Sequence, residues 1–237
     1  MTPDLFLEQI ETERLWREQE IRSMNNILIN LESEEDRNKL RRAIVCLLYA
    51  HVEGFVKYSF SLYIDAINSL NLSCNEVRPI LVAAVYYKDF HKLTDPDAKS
   101  RLFTKEGQED KHIRRLCLHE EFFQKISGFL SSKIRVEDGY INTESNVGRE
   151  VLEKLLYQVG LPHKLLSNSI GPLSQLKNKR NGISHGTDKS SVNEDVYQEF
   201  YNCTFAIIDD LSKKLFDAFN TKSFLLTPAR SDEGLHL

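Results

Sequence analysis

Side chains suited to phosphoryl chemistry crowd into one short stretch, Arg180-Asn181-Gly182-Ile183-Ser184-His185, closed by Gly186. An arginine is a permanent cation whose planar fork of donors fits a phosphate. A histidine moves a proton near neutral pH. RNA carries its own nucleophile, the 2′-OH, so Arg180 and His185 would suffice to cleave it without a metal or other cofactor. His185 would act as general base toward the 2′-OH, as general acid toward the departing 5′-oxygen, or in both roles across two copies of the chain. Arg180 would neutralise the scissile phosphate and the charge growing in the transition state. Asn181 would orient the phosphate or the imidazole, and Ser184 would add a donor. Lys177, Lys179, Lys164 and Lys189 would supply a basic patch for the RNA backbone.

Spacing alone carries little weight. With this many Arg and His, an Arg separated from a following His by four to six residues is expected about once by chance, and the chain holds three such pairs. Arg230 and His236 lie in a polar C-terminal tail. Arg114 and His119 belong to an amphipathic helix, with Leu116, Cys117 and Leu118 between them. Only Arg180 and His185 are interleaved with small polar residues and followed by a glycine stop. On an ideal helix this pair stands about 140° apart around the axis, so a straight helix does not bring the tips together. Loosening at Gly182 would help, as would a two-fold axis that brings two copies to one groove. The same residues also read as cations capping carbonyls at a helix end, a purely structural role.

The elements that must hold this stretch are helical. Apolar residues recur at helical spacing from Pro3 to Leu31 (Leu5, Ile10, Leu15, Trp16, Ile21, Met24, Ile27, Leu28). Ser33, followed by Glu34, Glu35 and Asp36, reads as a helix start. The strongest helix runs from Leu40 to Ile67 and is apolar enough to be central. A third is expected over Ser73–Asp89, with Ile80 to Val85 buried. Thr94–Glu109 reads as a loop or mobile insertion, Ile113–Leu130 as a helix, and Ile134–Val147 as a small hairpin or irregular excursion. Gly148–Gly160 is a short helix. Gly171-Pro172 opens the helix that carries the motif, with Gly186 as its C-terminal cap. Val192–Phe219 is the last helix.

The chain is 41% hydrophobic and 28% charged over 237 residues, an ordinary globular composition. Few Gly and Pro favour an all-α fold. A net charge of −4 means that any RNA contact must rest on a local patch. Cys46, Cys74, Cys117 and Cys203 form no CxxC pair, which argues against a zinc knuckle. Cys46, Cys117 and Cys203 read as small core residues. The acidic N-terminus is not a signal peptide. No apolar run approaches the ~20 residues of a membrane span. A cytoplasmic protein is expected. A metallohydrolase has no HExxH or paired His-Asp spacing behind it.

Arg-Asn-x-x-x-His-Gly at a helix end resembles the HEPN superfamily (higher eukaryotes and prokaryotes nucleotide-binding). Leu47-Leu48-Tyr49-Ala50-His51-Val52-Glu53-Gly54-Phe55-Val56-Lys57 is similar to the signature of its RiboL-PSP/MAE-type bacterial branch. The two segments occur in the expected order, and the resemblance covers roughly residues 35–220. It implies an all-α helical bundle that dimerises about a two-fold axis, a metal-independent endoribonuclease, and membership in toxin–antitoxin or phage-defence systems, with an antitoxin or defence protein as partner. It places the catalytic pair on Arg180 and His185, with Asn181 as polar neighbour. One domain would span 1–223. Residues 88–147 would be an insertion without counterpart in a minimal bundle, and 224–237 a flexible tail. Glu53 becomes a supporting candidate, because a carboxylate inside the most apolar helix is costly unless paired, and Arg180 or His185 is its natural partner. His51 reads as a core or groove histidine. Tyr49 and Tyr58 would stack a base or simply pack. The rival to the nuclease is a non-catalytic HEPN-like module that binds nucleotides or a partner protein.

Overall fold

The structure, a computed structural model, describes residues 1–100, 111–166, 168 and 170–226. Among them the chain forms α1 (Pro3–Ile29), α2 (Glu34–Ser69), α3 (Pro79–Val85), α4 (Tyr87–Thr94), α5 (Lys111–Phe129), α6 (Arg149–Gln158), α7 (Leu173–Ser184) and α8 (Glu194–Asn220), and no strand. The all-α class expected from periodicity is what these residues build.

α2 organises the rest. Ser33 Oγ accepts the Asp36 N–H at 3.3 Å, and Glu34, Glu35 and Asp36 complement the positive end of the helix dipole. Its apolar side chains point in almost every direction, so it needs neighbours on several sides. α1, α7 and α8 provide them. Ile44, Val45, Leu48 and Tyr49 pack with Ile21 and Leu28 of α1, Leu176 of α7 and Phe200 of α8. Further along, Val52, Phe55, Val56, Phe60 and Tyr63 pack with Phe6 and Ile10 of α1 and with Ile207, Leu211 and Leu215 of α8. Full burial of each such side chain contributes about 1.5–3 kcal/mol. Among the described residues α2 alone is long and apolar enough to cross a membrane. Here its apolar positions are covered by the surrounding helices.

Several expectations need correction. The buried stripe of α1 is Phe6, Ile10, Arg17, Ile21 and Leu28, while Leu5, Leu15, Trp16 and Ile27 face outward. The helix expected over Ser73–Asp89 is broken into a short 3-10 turn at Cys74–Glu76, then α3 and α4. Pro79 disfavours helical backbone at Arg78, whose N–H bonds to Phe224 O instead. In α3 only Leu81 is fully buried, and Ala83 is exposed. Residues 134–147 are an irregular excursion, not a hairpin, turning at Gly139 with φ +81°. The chain also stays packed beyond 223. Phe224 is buried, and Leu226 N–H bonds to Glu76 O. The Arg230–His236 pair lies outside the described residues. Within 88–147, α4 and α5 meet through aromatic rings, Phe90 of α4 on Phe122 of α5.

Candidate active site

Leu173 and Leu176 fix α7 against the bundle, with both side chains buried. That seating turns Arg180 toward α2. Its guanidinium lies 4.4 Å from the centre of the Tyr49 ring, a cation–π contact. Arg180 Nη2 donates to Glu53 Oε2 at 3.4 Å, and Nη1 to Asn181 Oδ1 at 2.8 Å. Tyr49 and Glu53 are four apart on α2, so they form one platform. The Tyr49 hydroxyl donates to Val147 O at 3.1 Å. Burial, reinforced by the charge of Glu53 and opposed by Arg180, pushes the Tyr49 phenol up to about 12. Tyr49 is fully buried, so it packs under Arg180 and does not stack a base. Tyr58 is half-buried, its hydroxyl on Gln9 O.

His185 sits at the C-terminal cap of α7 and is exposed. No hydrogen bond joins it to Arg180, as the angular separation on the helix led one to expect. Asn181 is engaged with Arg180 through its oxygen, and it orients the guanidinium and not the imidazole. Ser184 is exposed and lies 3.9 Å from Cys46 Sγ. Cys46 is therefore half-buried at the site's edge, unlike the buried Cys117 and Cys203.

The loop after His185 is held firmly. Gly186 takes φ +71° and its N–H bonds to Ile183 O at 3.1 Å, which ends the helix. The chain then folds back so that Asp188 N–H reaches Gly182 O at 2.9 Å. Asp188 accepts from Lys179 Nζ at 2.9 Å and from the Ser190 hydroxyl at 2.6 Å. The Ser190 hydroxyl first, then Lys179, hold the Asp188 carboxyl well below the usual carboxylate range. Arg42 of α2 donates to Asp188 O at 2.8 Å and Ser190 O at 2.5 Å. Gly182 permits this closure, since a Cβ there would stand 2.7 Å from Asp188 Cβ. Gly182→Ala is expected to lower stability by about 1–2 kcal/mol through overpacking, despite the ~1 kcal/mol that alanine adds in a helix interior. A thermal melt checks this, and an unchanged or raised midpoint would contradict it.

The expected basic patch is weaker than the sequence implied. Lys179 is paired with Asp188, and Lys177 lies over Gly148. Lys164 lies in the turn after α6, and Lys189 is exposed in the clamped loop. The other Arg–His pair is not a site. The Arg114 guanidinium donates to Pro96 O, and His119 is exposed on α5. Among the described residues no group of His, Cys, Asp and Glu is placed to hold a metal.

The α2 segment has a second face. His51 is buried against α1, 3.4 Å from Arg17 Nη1 through Nδ1. Its Nε2 lies 3.1 Å from Glu20 Oε2 without hydrogen-bond alignment. Glu13 ties both Arg17 and Trp16 Nε1, and Trp16 meets His51 edge-on. Gly54 makes room for Arg17, since a Cβ there would lie 2.8 Å from Nη1. His51 is thus a core histidine.

Burial lowers the His51 pKa, with Arg17 adding to it and Glu20 and Glu13 opposing. Below about pH 6.5 the unfolded chain takes up a proton that the folded chain resists, so stability falls as pH falls through that window. One proton sets a ceiling of about 1.4 kcal/mol per pH unit. Melting midpoints from pH 7.5 to 5.5 should drop more steeply for the natural protein than for His51→Gln. Parallel slopes would remove His51 from the pH response.

A family model described as MAE_28990-like HEPN matches residues 6–224 of this chain. The chain belongs to the HEPN family. That match spans the bundle and the whole of 88–147, and it includes the α2 segment and the motif on α7. No curated protein and no solved structure matches. Tyr49 as the platform for Arg180, and Asp188 and Arg42 as the clamp on the HEPN motif loop, were not singled out by the sequence. The i,i+4 spacing of Tyr49 and Glu53 was the one available signal.

Proposed function

We propose that this HEPN protein is a metal-independent endoribonuclease acting as a homodimer, an effector of toxin–antitoxin or phage-defence type working in the cytoplasm. One observation carries the reading. Arg180 is pre-positioned on Tyr49 and Glu53 while His185, five residues on, presents an exposed ring with no hydrogen-bond partner among the described residues. The 2′-oxygen attacks phosphorus as a neutral imidazole takes its proton. The bond from phosphorus to the 5′-oxygen then breaks, and that oxygen receives a proton from an imidazolium. Water is neither consumed nor released, and the products are a 2′,3′-cyclic phosphate and a 5′-hydroxyl. Because Arg180 and His185 stand about 140° apart around the helix axis and share no hydrogen bond, a two-fold axis that pairs each with its copy fits the division of labour. The pairing of Lys179 and Arg180 with carboxylates favours a second reading, a non-catalytic nucleotide- or protein-binding module.

The test is incubation of the pure protein with RNA in excess EDTA. Cleavage leaving 2′,3′-cyclic ends is expected. Binding without cleavage supports the second reading, and 5′-phosphate products with a strict Mg²⁺ requirement contradict the mechanism.

A further inference from the structure

Beside the motif, between α7 and the start of α8, lies a cleft of about 440 Å³. This is within the ~300–1,000 Å³ of small-molecule sites. Its floor is apolar. Val192 and Phe200 are buried, and Val196 is half-buried. Its walls are amides. Gln175 and Asn178, three apart on one face of α7, are exposed, and their side chains have no hydrogen-bond partner among the described residues. Asn193, across the cleft, accepts the Val196 N–H with its oxygen and keeps its NH₂ available. At the edge stand Lys179 and Asp188, which neutralise each other.

The chemistry of these walls discriminates among ligands. A phosphate needs an uncompensated cation or a fan of N–H donors, and the one cation here is already paired. Carboxamides present planar donor–acceptor edges that match the edges of a nucleobase. An apolar floor receives the base's flat face. Unstacked bases of single-stranded RNA are read in this way. The cleft is tied to the catalytic stretch through its rim: Lys179 pairs with Asp188, whose N–H bonds to Gly182 O inside the motif. Asn178 and Lys179 immediately precede Arg180, and Asp188 follows His185 by three positions.

We propose that this cleft is a base-recognition subsite for the RNA strand whose phosphate meets Arg180, with Gln175 and Asn178 as its specificity-determining residues. The assignment of the strand rests on the proposed nuclease function.

The test separates the two. The His185→Ala protein, in which any cleavage should be strongly slowed, is titrated by NMR with the four ribonucleoside 5′-monophosphates, with ribose 5-phosphate, and with single-stranded trinucleotides. One base should bind about tenfold more tightly than ribose 5-phosphate, the scale of a good paired amide contact. The preference should vanish in Gln175→Ala/Asn178→Ala, whose melting midpoint should be unchanged because both positions are exposed on a helix. A trinucleotide carrying the favoured base should bind tighter than the mononucleotide. Equal binding of all four nucleotides and ribose 5-phosphate overturns the subsite, as does a preference that survives the double substitution. A trinucleotide no tighter than the mononucleotide overturns its assignment to an RNA strand. None of these readouts needs cleavage. A natural protein that cuts no RNA defeats the nuclease reading alone, and cleavage without base discrimination defeats the subsite alone.

Discussion

His185→Ala is expected to slow RNA cleavage by about 10²–10⁴-fold, the usual contribution of a positioned acid–base group. The melting midpoint should not move. The reason is structural: the His185 ring is exposed and makes no hydrogen bond among the described residues, so its removal leaves no buried group unpaired. RNA affinity should change little, because the arginine that meets the phosphate stays in place. His119→Ala supplies the control, since it removes the histidine of the competing Arg–His spacing on α5. Rates for both variants on one RNA, with melts alongside, decide the matter. Loss of activity in His119→Ala with retention in His185→Ala would move the active centre to the middle of the chain.

Arg180→Ala should cost about 10²–10³-fold in rate, typical of losing one oriented donor at a developing charge. Unlike the histidine variant, it should also weaken RNA binding, because the guanidinium meets phosphate in the ground state as well. It should lower stability too, by about 1 kcal/mol, since Glu53 loses its partner while only partly in reach of water. Arg180→Lys should restore part of the affinity but little of the rate, because an ammonium offers neither the fork toward Glu53 and Asn181 nor a plane for Tyr49. Glu53→Gln tests the same knot from the other side. It should reduce the rate, whereas Glu120→Gln on the exposed side of α5 should not. Equal rates for these two carboxamides would remove Glu53 from the site.

The bundle was readable because its helices announce themselves through apolar spacing and through caps such as Ser33. The pairing of Glu53 was readable for a related reason: a carboxylate amid Val52, Phe55 and Val56 must find a cation. Tyr49 was not, because an aromatic residue at helical spacing looks the same whether it fills the core or supports an arginine. Burial of Arg17 is not legible either, because charge argues against burial until its partners are known. Asp188 was invisible for another reason. Its role depends on a loop that returns to Gly182, and no periodicity encodes a loop's path. Lys179 misled, since its charge is real but its nearest neighbour in space cancels it.

Arg180 reaches Glu53 across 127 residues of chain, Tyr49 reaches Val147 across 98, and Arg42 reaches Asp188 across 146. Contacts so distant along the polypeptide form late, after the cost of closing long loops has been met. A nascent chain exposes Tyr49 and Glu53 long before it contains the arginine they hold. Products of interrupted translation therefore lack an assembled centre altogether. If the proposed ribonuclease activity holds, synthesis order is a safeguard: the centre assembles only after the residues from Tyr49 to Asp188 have all been made.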